Sequence, residues 1–129
     1  MRLDKTRREN SQEIAEDYVE AIAELITAKG QARVGDLALL LGVTHVTVSR
    51  TITRLKIQGY TSKEPFHAIG LTAKGSQLAT FCKQRHETVI EFLRAVGVPN
   101  QIAENDAEGI EHHVSPETLA TFRKFLAAR

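Results

Sequence analysis

Apolar residues recur at three- and four-residue steps through most of this chain, the spacing of helices buried along one side. Ile14, Tyr18, Ala21, Ile22, Leu25 and Ile26 form the first such stripe and predict a helix over about residues 11–28. Ser11 is placed to cap it, Glu13 and Glu16 suit its positive end, and Gly30 ends it. Residues 1–10 carry Arg2, Lys5, Arg7 and Arg8 without periodicity and are expected to form a frayed basic arm. A short apolar helix follows over Val34–Leu41, then a turn at Gly42-Val43, then a third helix over 44–58 that Thr44 caps and Gly59 closes. Residues 60–64 and 67–71 read as two short strands around Pro65-Phe66. Thr72 caps a long helix, about 73–96, with Leu78, Phe81, Cys82, Val89, Phe92 and Leu93 mostly inward, that stops at Gly97. Pro99 opens a short helix to residue 105, residues 106–114 form another, and Pro116 opens a last one to about 128.

These elements predict a mainly α chain with a small β-hairpin wing. A winged helix-turn-helix DNA-binding domain is expected over 1–72, and a helical dimerisation and metal-binding domain over 73–129. The first assignment rests on Ala38, Gly42, Val48 and Ile52. The alanine lets two helices approach, the glycine permits the positive φ of the turn, and the two branched residues lock the second helix onto the first. Val48, Ile52 and Leu55 share the inner face of that helix, while His45, Thr47, Ser49, Arg50, Thr53 and Arg54 share the outer one. Arginine can fork onto guanine, and short hydroxyls reach phosphates or base edges. His45, Thr47, Arg50 and Arg54 are therefore the expected DNA contacts, with Lys63 of the wing on phosphate. The bland counterpart is a solvated face on a structural helix pair.

Charge sharpens the choice. Residues 29–75 carry Lys29, Arg33, Arg50, Arg54, Lys56, Lys63 and Lys74 against Asp36 and Glu64, a local +5, whereas the remainder of the chain sums to −4. A basic middle and an acidic remainder suit a polyanion-binding module joined to a cation-binding one. At 129 residues, 42% apolar and 26% charged, the composition is globular. The apolar runs are too short for a membrane span, and the charged N-terminus offers no secretory leader. One cysteine, Cys82, suits a reducing cytoplasm and reads as a small buried apolar residue.

The acidic remainder holds a constellation of metal-binding residue types. Asp17 and Glu20 lie three apart on one helix face; Glu108, Glu111 and His112 stand at i, i+3 and i+4; His86 lies midway along the long helix. Carboxylates gathered without a counter-charge repel, and a pair of divalent ions would balance them. Oxygen and imidazole donors without thiolate favour Mn²⁺ or Fe²⁺. Each residue taken singly has an ordinary alternative, a solvated acidic face or a surface or core histidine, and spacing alone leaves both open. His113 faces away from His112, His45 and His67 fall in the DNA-facing elements, and Glu13 and Glu24 extend a solvated face. No catalytic set is visible: Ser49 and Ser115 lack a base at a diagnostic spacing, and His86-Glu87 is not part of an H-E-x-x-H motif.

Particular stretches resemble the manganese transport regulators of the diphtheria-toxin-repressor family. They are Glu16-Asp17-Tyr18-Val19-Glu20, Gly42-Val43-Thr44 leading into Thr47-Val48-Ser49, Leu71-Thr72-Ala73-Lys74-Gly75, Arg85-His86, and Asp106 through His113. The similarity covers about residues 12–126, and Glu108-Gly109-Ile110-Glu111-His112-His113 is its most specific part. It implies a homodimeric, cytoplasmic repressor of manganese uptake that binds a palindromic operator in duplex DNA. It also implies that Asp17, Glu20, His86, Glu108, Glu111 and His112 hold a binuclear Mn²⁺ site, two ions per subunit. Iron-responsive relatives tend to have Met and Cys where this chain has Asp17 and Glu111, and many carry a third, SH3-like domain for which no room is expected here. The wing around Pro65-Phe66-His67 departs from the family pattern. The rival expectations are a winged-helix regulator that answers to Fe²⁺ or to a small organic ligand, and a di-metal hydrolase or oxidase.

Overall fold

The computed structural model describes the backbone from residue 2 and the side chains from residue 10, in both cases through residue 129. Its elements run α1 (Arg2–Lys29), α2 (Val34–Leu41), α3 (His45–Ile57), β1 (Thr61–Lys63), β2 (Ile69–Leu71), α4 (Ala73–Ala95), α5 (Asn100–Ile110) and α6 (Pro116–Ala127). Contacts divide the chain into a first unit, residues 1–80, and a second, residues 81–129. No helix among the described residues is long and apolar enough to cross a membrane.

The first unit is the expected winged helix. Ile22 of α1, Leu37 of α2, and Val48 and Leu55 of α3 are wholly buried in one core, closed by Tyr18, Ala38 and Ile69. Full burial of such a side chain stabilises by roughly 1.5–3 kcal/mol, so these contacts fix the angle at which α3 is presented. Gly42 takes the left-handed conformation (φ 67°) that ends α2, and its N–H donates to Ala38 O. Thr44 Oγ1 then accepts the Thr47 N–H at 3.1 Å and starts α3. β1 and β2 pair antiparallel, Thr61 opposite Leu71 and Lys63 opposite Ile69, and the Ile69 N–H also donates to Ala32 O at 2.8 Å.

Between the strands, Pro65–His67 form one 3₁₀ turn rather than a simple loop. Phe66 (φ 62°) and His67 (φ 60°) both sit in the left-handed region, unusual for residues with a Cβ and costing of order 1–3 kcal/mol each. Hydrogen bonds from Ala68 N to Pro65 O and from Glu64 N to Ala68 O hold the turn.

α4 starts where the Thr72 hydroxyl donates to Gly59 O at 2.5 Å and accepts the Gly75 N–H at 3.1 Å. Gly75 leans against the Tyr60 backbone: a Cβ there would fall on the Tyr60 carbonyl oxygen.

In the second unit, Val89 and Ile90 of α4, Ala107 of α5 and Leu119 of α6 make the core, with Leu93 and Val114 packed on it. Phe92 stacks on Phe122 (centroids 3.9 Å, planes 5° apart), and Phe125 meets Phe92 edge-on. Cys82 is fully buried.

Three expectations need correction. The basic N-terminus continues as helix: α1 begins at Arg2, because Arg, Lys and Glu are good helix formers that need no buried stripe to extend an existing helix. The two short helices expected over 99–105 and 106–114 are one, α5, because Ala103 and Ala107 form an unbroken buried stripe across Asn105-Asp106. α5 also ends earlier than expected, and residues 111–113 are a turn closed by His113 N–H to Ile110 O.

Candidate functional site

The second unit draws a basic and an acidic element together. On α4, Cys82, Arg85 and Val89 follow at three- and four-residue steps and are all buried, with His86 half-buried beside them. Glu111 is the C-cap of α5; its backbone N–H bonds Ala107 O, and its side chain is only 4% exposed. Its Oε2 lies 2.5 Å from His86 Nδ1, and its Oε1 lies 3.9 Å from His112 Nε2. Burial drives the Glu111 carboxyl above its usual pKa, and the Glu108 charge pushes the same way; the bond to His86 and the charges of His86 and His112 oppose the rise.

Arg85 completes the cluster. It was not singled out as a site residue from sequence, although its place on the same helical stripe as Cys82 and Val89 marks it as inward-facing. One terminal nitrogen lies 3.3 Å from His112 Nδ1 and 3.9 Å from Cys82 Sγ, and the guanidinium sits over the Phe81 ring. A guanidinium only donates, so His112 Nδ1 is the acceptor, and a neutral ring then carries its proton on Nε2, the atom nearer Glu111.

The structure thus joins His86, Glu111 and His112. Glu108 is exposed one helical turn earlier on α5. Asp17 and Glu20 stand on α1 in the first unit, the former exposed and the latter half-buried; Glu16, just before Asp17 and expected only as a helix-end charge, is buried. Among the described residues no three His, Cys, Asp or Glu side chains form a ready metal cage. The donor chemistry nevertheless suits a hard divalent ion. A carboxylate oxygen and an imidazole nitrogen meet at hydrogen-bond distance, and a cation can take the place of the proton between such a pair.

The first unit carries the other surface. His45, Thr47, Arg50 and Arg54 of α3 and Lys63 of β1 are all exposed. Gly35 faces the His45 ring, where a Cβ would make ordinary van der Waals contact, 3.6 Å from His45 Cε1. The Thr47 hydroxyl is partly engaged, as it accepts from Thr44 Oγ1 at 3.0 Å. Between α3 and the wing runs a groove of about 390 Å³ whose polar lining is Ser49, Thr53, Lys56, Thr61, Ser62, Lys63 and His67, together with apolar Val34, Ile52, Ala68 and Ile69. Hydroxyls and ammonium groups at this spacing suit a sugar-phosphate strand.

A helix-turn-helix with a basic outer face, followed by a helical unit with a carboxylate–imidazole cluster, fits a metal-dependent transcriptional regulator. Comparison with known proteins agrees. The iron dependent repressor N-terminal DNA binding domain matches residues 12–69, and the iron dependent repressor metal binding and dimerisation domain matches residues 72–128. The chain belongs to this iron-dependent, or diphtheria-toxin, repressor family, and relatives 41% to 44% identical to it are named MntR. It is 44% identical to the transcriptional regulator MntR of Escherichia coli O6:H1 over 121 residues, 94% of this chain and 78% of that protein. It is 43% identical to the HTH-type transcriptional regulator MntR of Lysinibacillus sphaericus over 78% of this chain and 72% of that protein. A solved manganese-dependent transcriptional repressor in complex with manganese superposes with a TM-score of 0.73 at 29% identity, covering 88% of this chain. The present chain spans about half of that one, 52%.

Proposed function

We propose that this protein is a manganese-responsive repressor of manganese uptake genes that acts as a cytoplasmic homodimer on a palindromic operator. The observation that carries the reading is the His86–Glu111–His112 cluster, in a chain 44% identical to an MntR over nearly its whole length. Asp17, Glu20, His86, Glu108, Glu111 and His112 are the ligand set, for two Mn²⁺ per subunit. Bound Mn²⁺ supplies positive charge that offsets the clustered carboxylates. Glu111, buried at a helix end, has the most to gain from a neighbouring cation. The proton between His86 and Glu111 would leave to solvent, and His112 would give up its bond to Arg85, either to offer Nδ1 or because its proton moves from Nε2 to Nδ1. His45, Thr47, Arg50 and Arg54 of each α3 enter a major groove, with Lys63 on phosphate. Two-fold symmetry then sets recognition helices roughly 34 Å apart. By linkage, operator DNA tightens manganese binding by the factor that manganese tightens DNA binding.

The test is a titration of operator binding and of bound metal across a Mn²⁺ series, for wild type and for Glu111→Ala. Wild type should gain DNA affinity with manganese and melt at higher temperature; the variant should keep its helical content and lose both responses. A manganese response that survives Glu111→Ala refutes the ligand assignment. DNA binding indifferent to every divalent ion refutes the sensor reading.

A further inference from the structure

The tip of the wing carries an aromatic ring that the fold does not use. Phe66 is 83% exposed, although Phe is a residue that proteins bury when they can. It is held in a left-handed backbone conformation together with His67, between Pro65 on one side and the paired strands on the other. Neither residue is a glycine, so the turn is not built for ease. It sets the ring at the end of the hairpin.

The surroundings say what meets it. Lys63 and His67 flank the tip, and both line the groove that separates the wing from α3. The other wall of that groove carries Ser49, Thr53 and Lys56, on the same helix as Arg50 and Arg54. With α3 in a major groove, one sugar-phosphate strand would pass the hydroxyl and ammonium groups on the walls of this otherwise apolar groove. What stands on the far side of a single strand next to a major groove is the adjacent minor groove.

We infer that Phe66 is a minor-groove wedge: its ring presses against, and partly unstacks, a base step beside the segment read by α3. Apolar side chains at rigid tips do this in architectural proteins, and flexible pyrimidine–purine steps yield most readily. The wedge adds preference for deformable flanking sequence without a base-edge hydrogen bond. This inference rests on the DNA-binding reading above.

The probe is the duplex that wild-type protein enriches from a randomised pool in the presence of Mn²⁺. The chain contains no tryptophan, so F66W places one indole at the tip. On binding the duplex, its emission should be quenched and shielded from acrylamide. F66G retains the left-handed backbone and lacks the ring; F66G and F66A should each bind about tenfold or more weakly, the scale of losing a base–aromatic contact. Their slope of log affinity against log salt should stay at the wild-type value, because no phosphate contact is lost, whereas K63A should lower it by about one per subunit. Wild-type affinity in F66G, or an indole equally open to acrylamide in free and bound F66W, overturns the wedge and leaves the DNA-binding reading intact. A pool that yields no enriched duplex overturns both.

Discussion

Replacing Gly75 by alanine tests how the wing is anchored. Helix propensity alone favours the change by about 1 kcal/mol, since Gly75 lies within α4. Sterics oppose it. The new Cβ would land on the Tyr60 carbonyl oxygen, 3.0 Å from the carbonyl carbon and 3.2 Å from Leu71 Cδ2. The first obstacle is backbone and cannot swing aside, so the start of α4 must draw away from residues 58–60. Three hydrogen bonds then lengthen: Thr72 N to Tyr60 O (3.1 Å), Thr72 Oγ1 to Gly59 O (2.5 Å) and Lys74 Nζ to Gln58 O (2.8 Å). At about 1 kcal/mol net for each, less the propensity gain, Gly75→Ala should destabilise by about 2 kcal/mol. For a chain of this size that lowers Tm by roughly 7 °C.

Urea and thermal unfolding followed by circular dichroism give the number, and Gly109→Ala supplies the control. Gly109 lies inside α5 with nothing within 4 Å of its Cβ position, so alanine there should stabilise by up to about 1 kcal/mol. Gly75→Ala at or above wild-type stability would refute the steric reading of this contact, and destabilisation by Gly109→Ala would refute the open-space reading of that one.

Other outcomes follow from the same geometry. Burial holds the Glu111 carboxyl above its usual 4.5, so the folded protein keeps that proton longer than the unfolded chain does. With a chelator present, this group's contribution makes stability fall as pH rises from 4.5 through the raised value. Glu111→Gln should remove that decline and melt higher than wild type at pH 7, while losing the Mn²⁺-induced rise in Tm; thermal melts from pH 4 to 8 check both signs. Thr44→Ala removes the oxygen that accepts the Thr47 N–H and should cost about 1 kcal/mol in urea unfolding. Arg54→Ala, on the exposed face of α3, should lower the salt slope of operator binding by about one per subunit if it meets phosphate, and should relax sequence preference at one position if it meets a base.

Much of the fold was legible in the sequence because spacing carries it. Ala38 and Val48 are buried where the helix-turn-helix pattern required, and Gly42 has the positive φ that its place in the turn demanded. The N-terminal extension of α1 was not legible, since a run of charged helix formers has no stripe to read. Nor was the single α5: Asn105-Asp106 looks like a cap, and tertiary burial of Ala103 and Ala107 overrode it. The left-handed pair Phe66-His67 gives no local signal, because such turns are ordinarily marked by glycine or asparagine. His86, Glu111 and His112, singled out by residue type and spacing, do lie together in the second unit. The Arg85 contact to His112 was not legible, because it depends on how α4 meets the turn after α5, which no periodicity encodes.

Cys82 turns the second unit into its own clock. It is the chain's lone thiol and is sealed from solvent, so a thiol reagent reacts only in the moments when α4 lifts off its neighbours. The ratio of its labelling rate to that of a free thiol is therefore the population of opened molecules. That population should shrink when manganese is added, letting one sulfur atom register metal occupancy with no DNA present.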